Sequence, residues 1–518
     1  MALLRVTAEQ LKNKHVRIRT LSQARTLIRK RHVLLAFAVV CVVGGSVSGA
    51  GPYYDGDWVG YTSLRYVTSA AIGPEYVYFS TRGGILLFDR FRDKWDRAWT
   101  MIDGLPSNRI IAVAYNQETS ELYARTTEGD AVYNSAGEEF DLTSDFPESL
   151  VISWQDIELL PYNLPAGYSA VEESFITDAN LRDFLVRGAV TDDWGNIWVG
   201  TWGLGVWRGT DHDIALYHLP YGLAQSNVRA IERLGECWWF AGPRLEGEPA
   251  GVTVFDTLTE SWHYHEARIT DGFDSDNILN LARTGDTIWM ATAAGLTRYG
   301  KDDDHSFKTY NAFSGLFSDR VTAVEPDGDL LWIGTDLGVN LLFISQDSLV
   351  RASDRLTYGV YVYDLEVIDD FVWMGTDRGL FRLYKKSNQW RRFSAAEGIL
   401  NGQVRSIAAD DTAFYFGTDF GLAMVFRDGS GIREYTLGDV FPGSDIYALA
   451  VTERIVWAST PWGLVRFDPR TEDYHLFTRA DGLFDDFVQV IYPDGDYLWL
   501  GTQEGVQRFY WKNPYRID

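Results

Sequence analysis

From about residue 57 to residue 510 the chain repeats one pattern of apolar and polar positions. Its clearest copies are Leu331–Thr335 (LWIGT), Val372–Thr376 (VWMGT), Phe414–Thr418 (FYFGT), Val456–Thr460 (VWAST) and Leu498–Thr502 (LWLGT). The closing threonines lie 41, 42, 42 and 42 residues apart, and each is followed three residues on by a glycine: Gly338, Gly379, Gly421, Gly463 or Gly505. A second short apolar segment follows, such as Leu380–Tyr384 or Leu464–Phe467. The same signature recurs with more drift at Tyr78–Thr81, Tyr123–Thr126, Trp198–Thr201, Trp239–Gly242 and Trp289–Thr292, which makes ten units.

Each unit reads as four short strands, a to d, separated by glycine-containing turns. Strand b is apolar at both parities, whereas a sheet with one wet face alternates apolar and polar residues. Both faces of every unit must therefore be covered, as when blades pack side by side around an axis. This predicts an all-β protein, a β-propeller of about ten four-stranded blades in one ring. Strand d of the final blade would come from the stretch Asp57–Tyr61, closing the ring. Trp198, Trp289, Trp332, Trp373, Trp457 and Trp499 hold one position in unit after unit, so they read as packing residues between blades. One interval breaks the period. Thr126 to Thr201 spans 75 residues, and the excess at about 137–180, with Ser153–Asp156 and Asn163–Tyr168, reads as an insertion or an elaborated outer strand.

The first 50 residues differ from the rest. Residues 1–32 carry nine Lys or Arg and one acid, Glu9; an apolar run follows at Val33–Val43, and small residues end at Ser48-Gly49-Ala50. This is the order of a signal peptide, with an uncleaved anchor as the alternative and the only link to a membrane. The expected domains are residues 1–50 for export and 51–518 for the propeller, in the periplasm or outside the cell. Cleavage after Ala50 removes nine basic residues and one acidic one, carrying the formal charge from −25 to −33. Such a chain repels nucleic acid, so no nucleic-acid partner is expected. Cys237 would be alone in the mature chain and could form no internal disulfide.

The segments Trp332–Gly338, Trp373–Gly379 and Trp499–Gly505, with Asp481-Gly482-Leu483 and Asp103-Gly104-Leu105 as a later element, resemble the two-component regulator propeller repeat. The resemblance covers nearly all of residues 57–510. It implies the periplasmic sensor half of membrane-spanning regulators that detect oligosaccharides, commonly built as two rings of seven blades. Stand-alone relatives serve as envelope or secretion-system components. With about ten units and no kinase or DNA-binding region in the sequence, the expectation is a non-catalytic binding module for an oligosaccharide or an envelope protein. The alternative is a propeller-type polysaccharide lyase or hydrolase, which requires His, Tyr, Arg or carboxylates converging in the central funnel.

No nucleotide-binding loop, His-Glu-x-x-His or Gly-x-Ser-x-Gly motif occurs. His263 and His265, beside Glu260 and Glu266, alternate on a strand d and read as surface residues before metal ligands. Asp336, Asp377 and Asp419 follow the threonine in three consecutive units. They either cap their own turns or ring one face as oxygen ligands for Ca²⁺. Recognition is expected at the b–c turns, where the residues vary between units: Arg82, Trp202, Arg378, Phe420, Trp462 and Glu504, with Trp202 and Trp462 best placed to stack on a sugar or a partner side chain.

Overall fold

The computed structural model describes residues 57–513 except for short segments at 160–161, 172–173, 211–214, 246–249, 302–304, 353–354, 394–401 and 437–444. The export segment read at residues 1–50 lies outside the described residues. The described chain is all-β, with ten antiparallel sheets, nine of four strands and one of six. We number the blades in chain order by their strands: blade 1 spans 67–95, blade 2 110–143, blade 3 168–219, blade 4 230–265, blade 5 278–310, blade 6 321–351, blade 7 362–392, blade 8 404–436, blade 9 449–477 and blade 10 490–510.

The threonine and glycine of the repeat have a local cause. The Thr335 hydroxyl donates to the carbonyl of Gly338 (2.8 Å) and accepts the N–H of Leu337 (3.1 Å), which ties the b–c turn shut. The same donation recurs at Thr81, Thr126, Thr292, Thr376, Thr418, Thr460 and Thr502, each toward the glycine three residues on. Gly338 has φ +130°, a conformation side chains rarely adopt.

The aromatic residue at the centre of each strand b shows which blade follows which. Trp289 of blade 5 packs into Val321, Leu331 and Ile333 of blade 6. Trp332 of blade 6 packs into Val362, Val372 and Met374 of blade 7, and Trp373 of blade 7 into Val404 and Phe416 of blade 8. Tyr415 reaches blade 9, and Trp457 reaches blade 10. Trp499 of blade 10 then packs against Val228, Trp238 and Phe240 of blade 4, and Trp239 of blade 4 against Ile288 and Met290 of blade 5. Blades 4 to 10 therefore close on themselves. The tryptophans are buried between blades, as their recurrence requires.

The same aromatic position gives a different answer for the first three units. Trp198 of blade 3 packs into Val67, Val77 and Phe79 of blade 1, and Tyr78 of blade 1 into Val113 and Leu122 of blade 2. Among the described residues Tyr123 of blade 2 meets no further blade, and it donates its hydroxyl to Glu121. The ten blades closed by an N-terminal strand are thus present, but the single-ring expectation resolves into a seven-blade ring and an arc of three in the order 3–1–2. The closing strand is Trp58–Tyr61, which pairs antiparallel with Val506–Phe509 as the outer strand of blade 10.

The long interval serves the arc. Trp154 lies between blades 3 and 1, where a Cβ on Gly188 or Gly200 would stand 2.7 Å from it, and its indole N–H donates to the Thr68 carbonyl. Leu159, Leu164 and Tyr168 cover the outer face of blade 3, and the strands Tyr168–Val171 and Phe175–Asp178 extend that sheet beside its strand a. The insertion therefore widens the sheet on its inner edge, not its outer one, and caps an open stack. The other end is capped chemically: Glu121, Tyr123 and Arg125 alternate with buried Leu122 and Ala124, giving blade 2 a half-wet face.

Candidate functional site

The seven strands a of blades 4 to 10 surround a channel of about 360 Å³. At the start of each strand a buried aliphatic residue faces the neighbouring blade: Val228, Ile278, Val321, Val362, Val404, Ile446 or Val488. The residue after it lines the channel and takes five identities across the seven blades: Arg229, Leu279, Thr322, Tyr363, Arg405, Tyr447 and Gln489. A constant structural position thus carries a variable chemical one.

Around this mouth the side chains touch in sequence. The Arg320 guanidinium lies 5.9 Å from the Tyr361 ring, and Tyr361 lies 4.8 Å from Tyr363. The Tyr363 hydroxyl donates to the Gln403 side-chain carbonyl at 3.0 Å. Arg405 donates to that oxygen and to Asp445 (3.2 Å), while its guanidinium lies 4.8 Å from the Tyr447 ring. Tyr447 meets Phe487 edge-on at 4.7 Å. Arg229 completes the set; burial lowers its pKa, and it has no ion-pair partner among the described residues. The mouth offers aromatic faces and fork-shaped donors, chemistry suited to sugar hydroxyls, carboxylates or peptide groups.

Deeper in, the lining turns acidic. Asp364 accepts the N–H of Leu365 (2.9 Å) and of Ile407 in the next blade (2.7 Å), yet burial carries its pKa up to about 7. Burial also raises Glu366 and Glu325, and the neighbouring carboxylates push in the same direction. The folded chain therefore holds these protons more tightly than the unfolded chain does. Their contribution to stability is complete at low pH and is lost as pH rises through neutrality. His218 and His265, which burial depresses to about 4, act oppositely, but only below their unfolded value near 6.5. From pH of about 6.5 to about 8.5 the unfolding midpoint is expected to fall, and Glu366→Gln is expected to flatten that fall, as read by thermal unfolding across pH.

The residues expected from the sequence do not form one site. Arg82 and Trp202 belong to the arc, where blades 1 and 3 bring them together: Arg82 lies 5.8 Å from the Trp202 ring, beside Tyr66. Phe420 and Trp462 stand exposed on the mouth side of the ring. Arg378 donates to the Gly359 carbonyl, and Glu504 pairs with Arg109 across the join between arc and ring. Asp377 and Asp419 accept the N–H groups of Tyr361 and Gln403, fastening each b–c turn to the start of strand a. With Asp336 they do not converge: among the described residues no three His, Cys, Asp or Glu lie close enough to hold a metal ion. His263 bonds Ser261, and His265 stacks on Trp239. The sequence reading missed Arg229, Arg320, Tyr361, Tyr363, Arg405 and Tyr447. Arg229, Tyr363, Arg405 and Tyr447 stand one residue past a constant aliphatic and Arg320 and Tyr361 one residue before it, and variability at those two places was their signal.

No protein-family model and no curated protein matches the sequence. Solved structures do match in fold. The chain is similar to PorZ, a bacterial surface component of the type-IX secretion system of Porphyromonas gingivalis (13% identity, TM-score 0.50, 87% of this chain and 69% of that one). It is also similar to extracellular domains of BT4673 and BT3049 from B. thetaiotaomicron, each named as a hybrid two component system. BT4673 gives 13% identity and TM-score 0.47 over 86% of this chain and 70% of that one. BT3049 gives 16% and 0.47 over 84% and 60%. At these identities the likeness is one of fold, the propeller expected from the repeat.

Proposed function

We propose that the protein is an exported, non-catalytic binding module that takes an oligosaccharide or an envelope protein at the mouth of its seven-blade ring. The observation that carries this reading is the unbroken run of contacts from Arg320 through Tyr361, Tyr363, Gln403, Arg405 and Tyr447 to Phe487, contributed by five successive blades. Tyr363 and Arg405 stand on strands a, and the other groups lie on the segments that lead into those strands. Export rests on the basic, apolar and small-residue order of residues 1–50.

Calorimetric titration with neutral and acidic oligosaccharides tests the reading. Tyr363→Ala and Arg405→Ala are each expected to weaken a bound sugar about tenfold or more, a loss of at least about 1.4 kcal/mol. Trp202→Ala, in the arc, is expected to leave affinity unchanged. Absence of any saccharide binding, with capture of an envelope protein that the same two variants abolish, assigns the mouth to a protein partner.

A second reading is favoured by one observation. Asp364 and Glu366 lie in the same channel as Tyr363 and Arg405 and hold protons near neutral pH, the arrangement that acid–base cleavage of a polysaccharide needs. Release of reducing ends or of unsaturated products, lost in Glu366→Gln, would replace the binding module with an enzyme.

A further inference from the structure

A second cavity, of about 220 Å³, lies between blades 1 and 3 of the arc. Phe88 and Asp93 of blade 1 line it, with Trp194, Asn196, Arg208 and Tyr217 of blade 3. It sits at the turns that join strands a to b and c to d, the end of these blades away from the b–c turns. The repeat requires no aromatic residue there. Among the described residues Trp194 is the one aromatic in the ten a–b turns, and it stands 49% exposed; Tyr217, at the start of strand d, is 55% exposed. The frame around them is tied by hydrogen bonds. The buried Asp192 carboxylate accepts the N–H groups of Trp194 and Asn196, the Asn196 amide and the Trp198 indole, each at 2.9 Å. Arg90, whose side chain is 2% exposed, donates to the Gly73 carbonyl at 2.9 Å and pairs with Asp193 and, at 3.7 Å, with Asp192. Its guanidinium lies 4.1 Å from the centre of the Trp194 ring, so the buried cation of one blade seats the indole of the other. Asp89 accepts the N–H groups of Phe91 and Arg92 and shapes the turn that presents Asp93.

The charges that border the cavity are compensated. Arg208 pairs with Asp93 across the two blades through both of its terminal nitrogens, and Arg90 pairs with Asp192 and Asp193. A charged ligand entering here finds no unpaired partner. A guanidinium and a carboxylate side by side do offer donors and acceptors to hydroxyl groups. We propose that this cavity is a second binding site and that it takes a neutral sugar ring, with Trp194 and Tyr217 as surfaces for its C–H face and the Arg208–Asp93 pair for its hydroxyls. A saccharide carries an apolar face and polar edges together, the combination that the lining presents. A wholly apolar ligand would strip water from the ion pair and return no hydrogen bond to it. The site does not rest on the ring mouth, whose lining residues belong to other blades.

Saturation-transfer NMR and calorimetry on the full chain test the proposal with cellotriose, maltotriose and mannotriose. At least one is expected to bind, about tenfold more weakly in Trp194→Ala and in Tyr217→Ala, with unchanged circular dichroism. Trp194→Tyr, which keeps an aromatic face, is expected to restore most of the affinity. Tyr363→Ala, at the ring mouth, is expected to leave this binding intact. Binding lost in Tyr363→Ala and kept in Trp194→Ala puts the sugar at the mouth and overturns the arc site alone. Equal affinity in Trp194→Ala, Tyr217→Ala and the unaltered chain overturns it whatever the mouth does, and so does binding of none of the three sugars. Tighter binding of trigalacturonate than of any neutral trisaccharide, lost in Trp194→Ala, overturns the assignment to a neutral ligand.

Discussion

Replacing Trp58 with alanine is expected to lower the unfolding free energy by about 3–5 kcal/mol, the range for truncating a buried aromatic side chain. Trp58 is 5% exposed, stacks on Phe509 with ring centroids 4.0 Å apart and meets Phe477 edge-on at 6.3 Å. Its strand contributes only four residues, and they are the ones that close the ring. The loss is therefore a loosened closure as well as a cavity. Denaturant unfolding checks the magnitude. Native-state hydrogen exchange checks the location: the amides of Val506–Tyr510 should lose protection before those of blades 5 to 8 do. Deleting the strand outright bares the outer strand edge of blade 10, and aggregation is the expected outcome.

The second large effect concerns the arc. The chain leaves the ring at Thr62 and returns at Leu223, whose N–H donates to the Thr62 carbonyl at 2.9 Å. The two crossings lie side by side, so residues 63–221 can be excised and the ends joined through a short glycine–serine link. The product is expected to fold as a closed seven-blade ring with one cooperative transition, measured by circular dichroism and solution scattering. It will be less stable than the whole chain, because Trp262 loses its contact with Tyr221 and Tyr264 loses the Arg65 guanidinium that lies over its ring. A single ring of ten blades would fail this test, since the excision would leave a three-blade gap and no fold. An unfolded product would show that the arc is part of the ring's core.

Much of this architecture was legible in the sequence. Strand b, its tryptophan, the threonine lock and the closing strand near Trp58 are all local or periodic, and periodicity survives without knowledge of contacts. The partition of blades was harder to see. The aromatic of strand b says that a blade follows, and Trp198 looks the same whether the next blade is blade 4 or blade 1. The one local sign was Glu121–Thr126, where apolar and polar residues alternate, the mark of a strand with one wet face. The insertion was visible as an excess, but its work of capping blade 3 depends on Trp154 meeting Gly188 and Gly200, a long-range fit. The mouth residues were hidden for a related reason. Arg229, Tyr363, Arg405 and Tyr447 share a position and not a chemistry, so no motif marks them. The exposed turn residues Phe420 and Trp462 drew attention because they are large, and Arg82 with Trp202 proved to belong to the arc.

The closing strand also sets a clock. Trp58–Tyr61 is made about 450 residues before its partner Val506–Phe509. At synthesis rates of roughly 5–20 residues per second the first waits about 20–90 s for the second. The arc and its cap lie wholly within the first 220 residues and can fold during that wait. The ring cannot, so for most of its synthesis the chain is a finished small body trailing an unfinished circle. Any factor that holds the growing chain open has until Val506 emerges to do so, and the ring commits to its native state only then.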